Sequence, residues 1–389
     1  MALSLDRTAL QQAAEESTGL SDWGDPDFFT GIDILARSLN EEAHLNTKGR
    51  AELTLRLYET MRQRLLLLED HKRFPEIADV RIERPIIVTG NGRSGTTLLH
   101  NLLATAPGHR GVQYWEMMRP SPPPQAATYT SDPRIGEIEA MLARQGFKAA
   151  SAMAKHAYGA ARMEECSTIL ELAGVGGYLG AVANVPRYTA YRETTDFHAS
   201  YRLHRMVLQT LAWRGPPGRL VLKAPEHMFH LPELLDAYPD AIVVFAHRDP
   251  ARSIASLISI VTQMRGLFCD DVDREAVTRS RFGYHKIMNR LREIREALAR
   301  PGRFFDVQFV DLNADPLGTL AKLYDEMSLA FGAEHEAPLL AYMSDNPRHK
   351  FGRHKYGLEE FGLSFEDIDR AFAPYIADNQ VVLERGSGA

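Results

Sequence analysis

The sequence predicts an α/β fold, a parallel sheet flanked by helices, with a helical N-terminal cap and a helical insertion. Three observations carry this. Residues 85–104 run as an apolar segment, a glycine-rich turn and a helical stretch. Three later apolar segments, 219–224, 241–247 and 304–310, are each followed by a stretch of helical character. The composition, 44% hydrophobic and 25% charged over 389 residues, is that of an ordinary globular chain with length enough to build a core and still enclose a ligand. Continuous apolar strands alternating with helices indicate a parallel sheet covered on both faces.

Residues 1–83 read as the helical cap. Leu5–Glu16 is rich in Ala, Gln and Glu, and Arg50–Lys72 carries apolar residues at helical spacing among many charges. Ser21–Thr30, with Trp23, Gly24, Asp25 and Pro26, reads as a loop. The organisation changes at Arg84, where the main domain, 84–389, begins. Pro85-Ile86-Ile87-Val88-Thr89 is a short, β-branched, apolar run bounded by Gly90 and reads as a buried strand. Gly90–Thr97 is the turn, and Leu98–Ala104 the helix. Glu116 stands near the end of a candidate second strand. Pro120–Pro124 is a rigid connection, and residues 132–214 form the helical insertion on the substrate side. Arg219–Ala224 leads to helical Leu231–Ala237, Ala241–His247 to Pro250–Met264, and Phe304–Val310 to Pro316–Phe331.

Charge and cysteine content exclude several classes. Lys and Arg number 45 against 51 Asp and Glu, a net charge of −6, which argues against general nucleic-acid binding but leaves room for a local basic pocket. Two cysteines, Cys166 and Cys269, have no zinc spacing and allow at most one disulfide; a reducing cytoplasm is the simplest location. The N-terminus lacks a basic segment followed by an apolar one, and no apolar run approaches the roughly 20 residues needed to span a bilayer. Homo-oligomerisation is compatible with this composition.

The turn Gly90-Asn91-Gly92-Arg93-Ser94-Gly95-Thr96-Thr97 fits more than one pattern. Gly90, Gly92 and Gly95 match the dinucleotide fingerprint, with Glu116 as a candidate ribose ligand. Gly90 and Gly95 also match the Walker A glycines, but Thr96 stands where that loop places its lysine. A hydrolase nucleophile at Ser94 is excluded, since position 96 would have to be glycine. Three glycines, an arginine and three hydroxyls before a helix make an anion site in any of these forms. Arg93 separates them, because a dinucleotide loop needs no permanent charge there. A second anion site follows in His247-Arg248-Asp249-Pro250, where Asp249 reads as an N-cap and Pro250 as the first helical residue. Arg248 then ends a strand, where α/β folds bind ligands, and Ser256 lies two helical turns on.

With these segments in hand, the chain resembles the nucleotide-dependent sulfotransferases that use 3′-phosphoadenosine-5′-phosphosulfate (PAPS), in their bacterial, mycobacterial-type branch. The matching segments are RPIIVTGNGRSGTTLLHNLLA, RMEECSTIL, RLVLKAPEHMFHLPELLDAYPDA, HRDPARSIASL and HKYGLEEFGLS, in family order over about residues 84–375. The resemblance implies a P-loop NTPase-like α/β domain. It implies that Gly92, Arg93, Ser94, Gly95, Thr96 and Thr97 bind the 5′-phosphosulfate and that Arg248 and Ser256 bind the 3′-phosphate. Arg93 departs from the lysine common in eukaryotic members, keeping the charge but not its geometry. A late basic, Gly-containing loop closes over the 3′-phosphate in the family, and the resemblance implies that role for Arg353 within Arg348–Lys355, the alternative being a solvated loop.

Sulfuryl transfer is treated by analogy with in-line phosphoryl transfer, where positioning and charge stabilisation dominate. Arg93 and Lys223 supply cationic donors without a metal ion. His227, four residues after Lys223, suits a general base, and Glu165 beside Glu164 is its rival. His227 and His230 lack a third metal ligand nearby, so no metal is expected. The acceptor is read as a small apolar or lipid-like alcohol, from the Ala, Met, Leu and Tyr positions of 132–214; the product is adenosine 3′,5′-bisphosphate. Two alternatives stay open: an NAD(P)-dependent oxidoreductase using GNGRSG as a dinucleotide loop, and a catalytically inactive nucleotide-binding protein.

Overall fold

Asp6 opens the first helix of the computed structural model, which describes residues 3–146, 159–346 and 357–385. These residues group into two units. A helical unit takes the chain up to Ile82, Val112–Pro217 and Val261–Asp273; a sheet unit takes Glu83–Gly111, Gly218–Ile260 and the residues from Arg274 on.

In the helical unit, the Asp6 carboxylate accepts the Ala9 N–H at 2.9 Å to start α1 (Arg7–Thr18), and Gly19 at φ 70° ends it. The second helix, α2 (Asp27–Glu41), begins inside the stretch expected as a loop. The turn-forming residues end at Pro26, and Asp27 sits in the first turn, where a negative charge favours the helix dipole. From there Phe28, Ile32, Leu35 and Leu39 form a buried stripe at helical spacing. Asn46 caps α3 (Thr47–Arg73), its side chain accepting from Gly49 at 2.7 Å. Gly49 is required there, since a Cβ would lie 1.9 Å from the Phe268 carbonyl oxygen.

Arg56 on α3 is buried and binds Glu171 through two hydrogen bonds of 2.8 Å, touches the Tyr114 hydroxyl at 3.2 Å and lies 4.0 Å from the Tyr178 ring centroid. The insertion is helical where described: Pro133–Gln145, Ser167–Glu171, Tyr178–Val182, Pro186–Thr194 and His198–Trp213. Cys166 and Cys269 are both buried and are not joined in a disulfide. No helix among the described residues is long and apolar enough to cross a membrane.

The sheet unit holds β1 (Ile86–Thr89), α4 (Thr96–Thr105), β2 (His109–Gly111), β3 (Arg219–Lys223), β4 (Ile242–His247) and β5 (Phe304–Gln308). All pairings are parallel, in the order β2-β3-β1-β4-β5, with Ile87 opposite Leu222 on one side and Val243 on the other. The four strands expected are therefore present. The second strand is β2, however, and not a strand at Glu116, which lies in the helix Tyr114–Met118. The strand expected over 304–310 stops at Gln308, because Phe309 turns into the helix Phe309–Ala314 and places its ring against Gly95. The helix after β4 runs from Pro250 to Phe268, one turn beyond Met264, and that at Pro316 ends at Glu326.

This order determines where a ligand can bind. The chain leaves β1 toward β2 and β3, and leaves β4 toward β5. The connections after β1 and β4 thus depart to opposite sides and leave a crevice at the carboxyl ends of these two neighbours.

The Arg56–Glu171 pair yields a stability prediction. Arg56→Ala leaves Glu171 as a buried unpaired charge and should cost about 3–5 kcal/mol in urea unfolding. The double change Arg56→Met with Glu171→Met should cost clearly less. An equal loss in both variants contradicts a dominant electrostatic penalty.

Candidate nucleotide site

The loop after β1 is shaped by contacts with the end of β4. Gly90 has φ 133°, and a Cβ there would lie 2.5 Å from the Ala246 carbonyl oxygen, so backbone passes directly over backbone. Asn91 is buried; its Nδ2 donates to Ser253 Oγ at 2.9 Å, and its carbonyl accepts both the Ser94 N–H at 3.2 Å and the Ser94 hydroxyl at 2.7 Å. Ser94 thus ties the turn together. Arg93 holds a left-handed backbone, φ 72°, a conformation costing a non-glycine residue about 1–2 kcal/mol and concentrated at functional sites. Gly95, at φ 91°, leads into α4, whose first helical bond is Leu99 N–H to the Gly95 carbonyl. The amides of Thr96, Thr97 and Leu98 precede it and have no acceptor within the helix. They carry the positive end of the helix dipole, suited to an anion.

The second segment joins the loop directly. Asp249 is fully buried and accepts the Ala251 N–H at 2.9 Å, capping the helix whose first residue is Pro250. Arg248 Nη1 donates to the Arg93 carbonyl at 3.1 Å, and Arg93 Nε donates to Ser256 Oγ at 3.1 Å. Arg93 therefore links Arg248 and Ser256, its carbonyl to one and its side chain to the other. Lys223, the last residue of β3 and 1% exposed, reaches Thr97 Oγ1 with its ammonium at 3.4 Å. Thr96 is buried, whereas Thr97 is exposed, and Gly92 rests on Leu257. Two guanidinium groups, an ammonium, hydroxyls and helix-start amides are the donor chemistry of a site for more than one anionic group.

His227 is fully buried in the single turn Pro225–Phe229, directly after Lys223 and Ala224. Glu165 is half-buried and Glu164 buried, both in the helical unit, just before the helix Ser167–Glu171. Arg353 and the rest of Arg348–Lys355 lie outside the described residues. Glu116 is buried and closes its own helix start: Oε2 accepts the Gln113 N–H at 2.9 Å and the Tyr129 hydroxyl at 2.6 Å. This is a capping role in place of the ribose contact a dinucleotide loop would need.

Sequence reasoning missed the groups behind Arg248. His247, at the end of β4, is buried between Asp306 Oδ1 at 2.8 Å and the Tyr375 hydroxyl at 3.0 Å. Arg295 binds both Asp306 oxygens, at 2.7 and 2.9 Å. Burial alone would raise the Asp306 carboxyl, but the hydrogen bonds from His247 and Arg295 hold it well below the usual carboxylate range. Glu384 pairs with Arg248. The His247-Arg248-Asp249 run carried a signal for this cluster; Asp306, Tyr375 and Glu384 had none, being 59–136 residues away in the chain.

Comparison with known proteins identifies the family. Residues 85–332 match the sulfotransferase family, and the chain belongs to it. The chain is 25% identical over 281 residues to the omega-hydroxy-beta-dihydromenaquinone-9 sulfotransferase Stf3 of Mycobacterium bovis and of Mycobacterium tuberculosis, spanning 68% of either chain. The crystal structure of sulfotransferase STF1 from Mycobacterium tuberculosis H37Rv matches with a TM-score of 0.80 at 30% identity, over 94% of this chain and 98% of that one. That of STF9 from Mycobacterium avium matches with a TM-score of 0.87 at 25% identity, over 99% of both. The resemblance read from the five segments is borne out, and the oxidoreductase alternative is not favoured.

Two expectations follow. Gly90→Ala combines backbone strain with a backbone collision and should cost about 3 kcal/mol in urea unfolding. Gly108→Ala, where φ is 76° but no atom lies within 4 Å of a Cβ, should cost only about 1 kcal/mol. Similar losses contradict the close packing of the loop on β4. Asp306→Asn should destabilise the protein at neutral pH. A carboxyl with a lowered folded-state pKa stabilises above its unfolded value and loses that contribution as pH falls, so the deficit should shrink below about pH 4. A deficit constant from pH 7 to 3 contradicts the charge-based role.

Proposed function

We propose that the chain transfers a sulfuryl group from PAPS to a hydroxyl of a lipid-like acceptor and releases adenosine 3′,5′-bisphosphate. One observation carries the reading: Arg93, Arg248 and Ser256 are hydrogen-bonded together beside the N-terminus of α4. A ligand with two separated anionic groups fits such a donor set, one group at the helix start and one at Arg248. The α4 amides, Thr97 and Arg93 bind the 5′-phosphosulfate end; Arg248 and Ser256 bind the 3′-phosphate. Arg353 is assigned to the same nucleotide from its place in the basic segment. The names of the mycobacterial relatives support a lipid-like acceptor, since Stf3 is named for a menaquinone-derived one.

The chain's own residues supply what transfer requires. The phosphosulfate provides an activated sulfur, and its bridging oxygen leaves with the nucleotide phosphate. Lys223, held by Thr97 at the start of α4, offers an N–H to that leaving oxygen and balances its developing charge. Arg93 stabilises the sulfonate oxygens as the acceptor oxygen bonds to sulfur. His227 takes the acceptor proton. It is preferred over Glu165 because it belongs to the sheet unit and follows Lys223 on the same segment. The helix dipole and the guanidinium groups supply fixed positive charge, so no reorganisation is needed at the moment of transfer.

Calorimetry and turnover test this. Wild type should bind adenosine 3′,5′-bisphosphate without metal, and Arg248→Ala should weaken binding about 10- to 100-fold, as loss of charge-assisted hydrogen bonds does. His227→Ala should keep affinity within about twofold and lower transfer from PAPS by about 10²–10⁴-fold. Normal turnover in that variant moves the base to Glu165. Binding of NADPH in place of the bisphosphate overturns the reading.

A further inference from the structure

The C-terminal segment reaches back to Arg248. Glu384 binds its guanidinium through two bonds, Nε to Oε1 at 2.7 Å and Nη2 to Oε2 at 3.1 Å. The Glu384 N–H donates to Asp249 Oδ2 at 2.9 Å, and the Glu384 carbonyl accepts from Arg252 Nε at 3.3 Å and Nη2 at 3.1 Å. The Tyr375 hydroxyl meets Nδ1 of His247, the residue before Arg248, at 3.0 Å. The Phe309 ring lies 4.1 Å beneath the guanidinium carbon. The residue before Arg248, the plane of its guanidinium and one edge of it are thus each held by a separate contact.

A guanidinium has five N–H donors. Glu384 takes two and the Arg93 carbonyl a third; the other two have no partner among the described residues. One of them is on Nη1 and the other on Nη2. A free arginine side chain carries about 2 kcal/mol of rotamer entropy, which binding would otherwise have to remove. An arginine already locked in plane presents its remaining donors at little cost.

We infer that the C-terminal residues Tyr375 and Glu384 are positioning residues for Arg248: Tyr375 anchors the preceding residue His247, Glu384 orients the guanidinium, and together they prepare it for the nucleotide's 3′-phosphate. This rests on the reading of Arg248 as the 3′-phosphate ligand. It assigns the segment a part in nucleotide selection that its position, 136 residues from Arg248, does not announce. Glu384 acts through Arg248 and does not itself touch the ligand.

The test compares two nucleotides that differ only at the 3′ position, adenosine 3′,5′-bisphosphate and adenosine 5′-phosphate, by calorimetry on the full chain. Glu384→Gln and Glu384→Ala should weaken the bisphosphate about 5- to 30-fold and leave the 5′-phosphate within about twofold. Tyr375→Phe, which keeps the buried ring, should give the same selective loss at smaller size. Tighter bisphosphate binding in Glu384→Gln would show that the carboxylate competes with the ligand and overturn the inference. Equal losses for both nucleotides would show a merely structural role and also overturn it, as would unchanged binding. A wild-type chain that holds both nucleotides equally contradicts the two-phosphate reading itself, and the inference falls with it.

Discussion

Residue 90 has to lack a side chain. The strands β1 and β4 are parallel neighbours, and the chain leaving β1 crosses the end of β4 at a distance that no Cβ could enter. Everything at the crevice depends on that crossing. It brings Asn91 onto Ser253, the Arg93 side chain onto Ser256, and the Arg93 carbonyl onto Arg248. Residues 155–163 positions apart become one donor cluster. The left-handed backbone at Arg93 is maintained by these contacts, and its strain is offset by the bonds on either side of it.

The arrangement also gives an acidic chain a locally basic crevice, as the proposed nucleotide requires. A net charge of −6 repels anions at long range, but that repulsion is screened over about 8–10 Å at physiological salt. Inside the crevice the local charges decide. Arg93, Arg248 and Lys223 gather there, while Asp249 caps a helix and Glu384 pairs with Arg248. Arginine at position 93 adds a planar fork suited to sulfonate or phosphate oxygens, at the expense of the compact charge that lysine would bring.

Local signals were readable and distant ones were not. The glycine loop, the four main strands and the Asp249-Pro250 helix start all announce themselves within a few residues, through glycine spacing, β-branched runs and capping chemistry. Three-residue β2 is too short and too polar to register, since His109-Arg110-Gly111 gains its place only by pairing with β3. The strand expected near Glu116 gave way to a helix because Gln113 and Glu116 form a reciprocal cap. The start of α2 was masked by the turn residues just before it. At the site, Lys223, Arg93 and Arg248 could be named from their positions after apolar strands. Tyr375, Asp306 and Glu384 could not, because what ties them to the His247-Arg248 segment is tertiary contact across 59 to 136 positions.

The central claim is that one nucleotide spans the crevice between β1 and β4, with its 5′ group on the start of α4 and its 3′-phosphate on Arg248. The measurement that tests it most directly is a crystal structure of the chain with adenosine 3′,5′-bisphosphate. The account predicts density for one phosphate against the Thr96 and Thr97 amides and for the other against the remaining donors of Arg248. A bisphosphate bound elsewhere, or in the crevice with its 3′-phosphate away from Arg248, would contradict it.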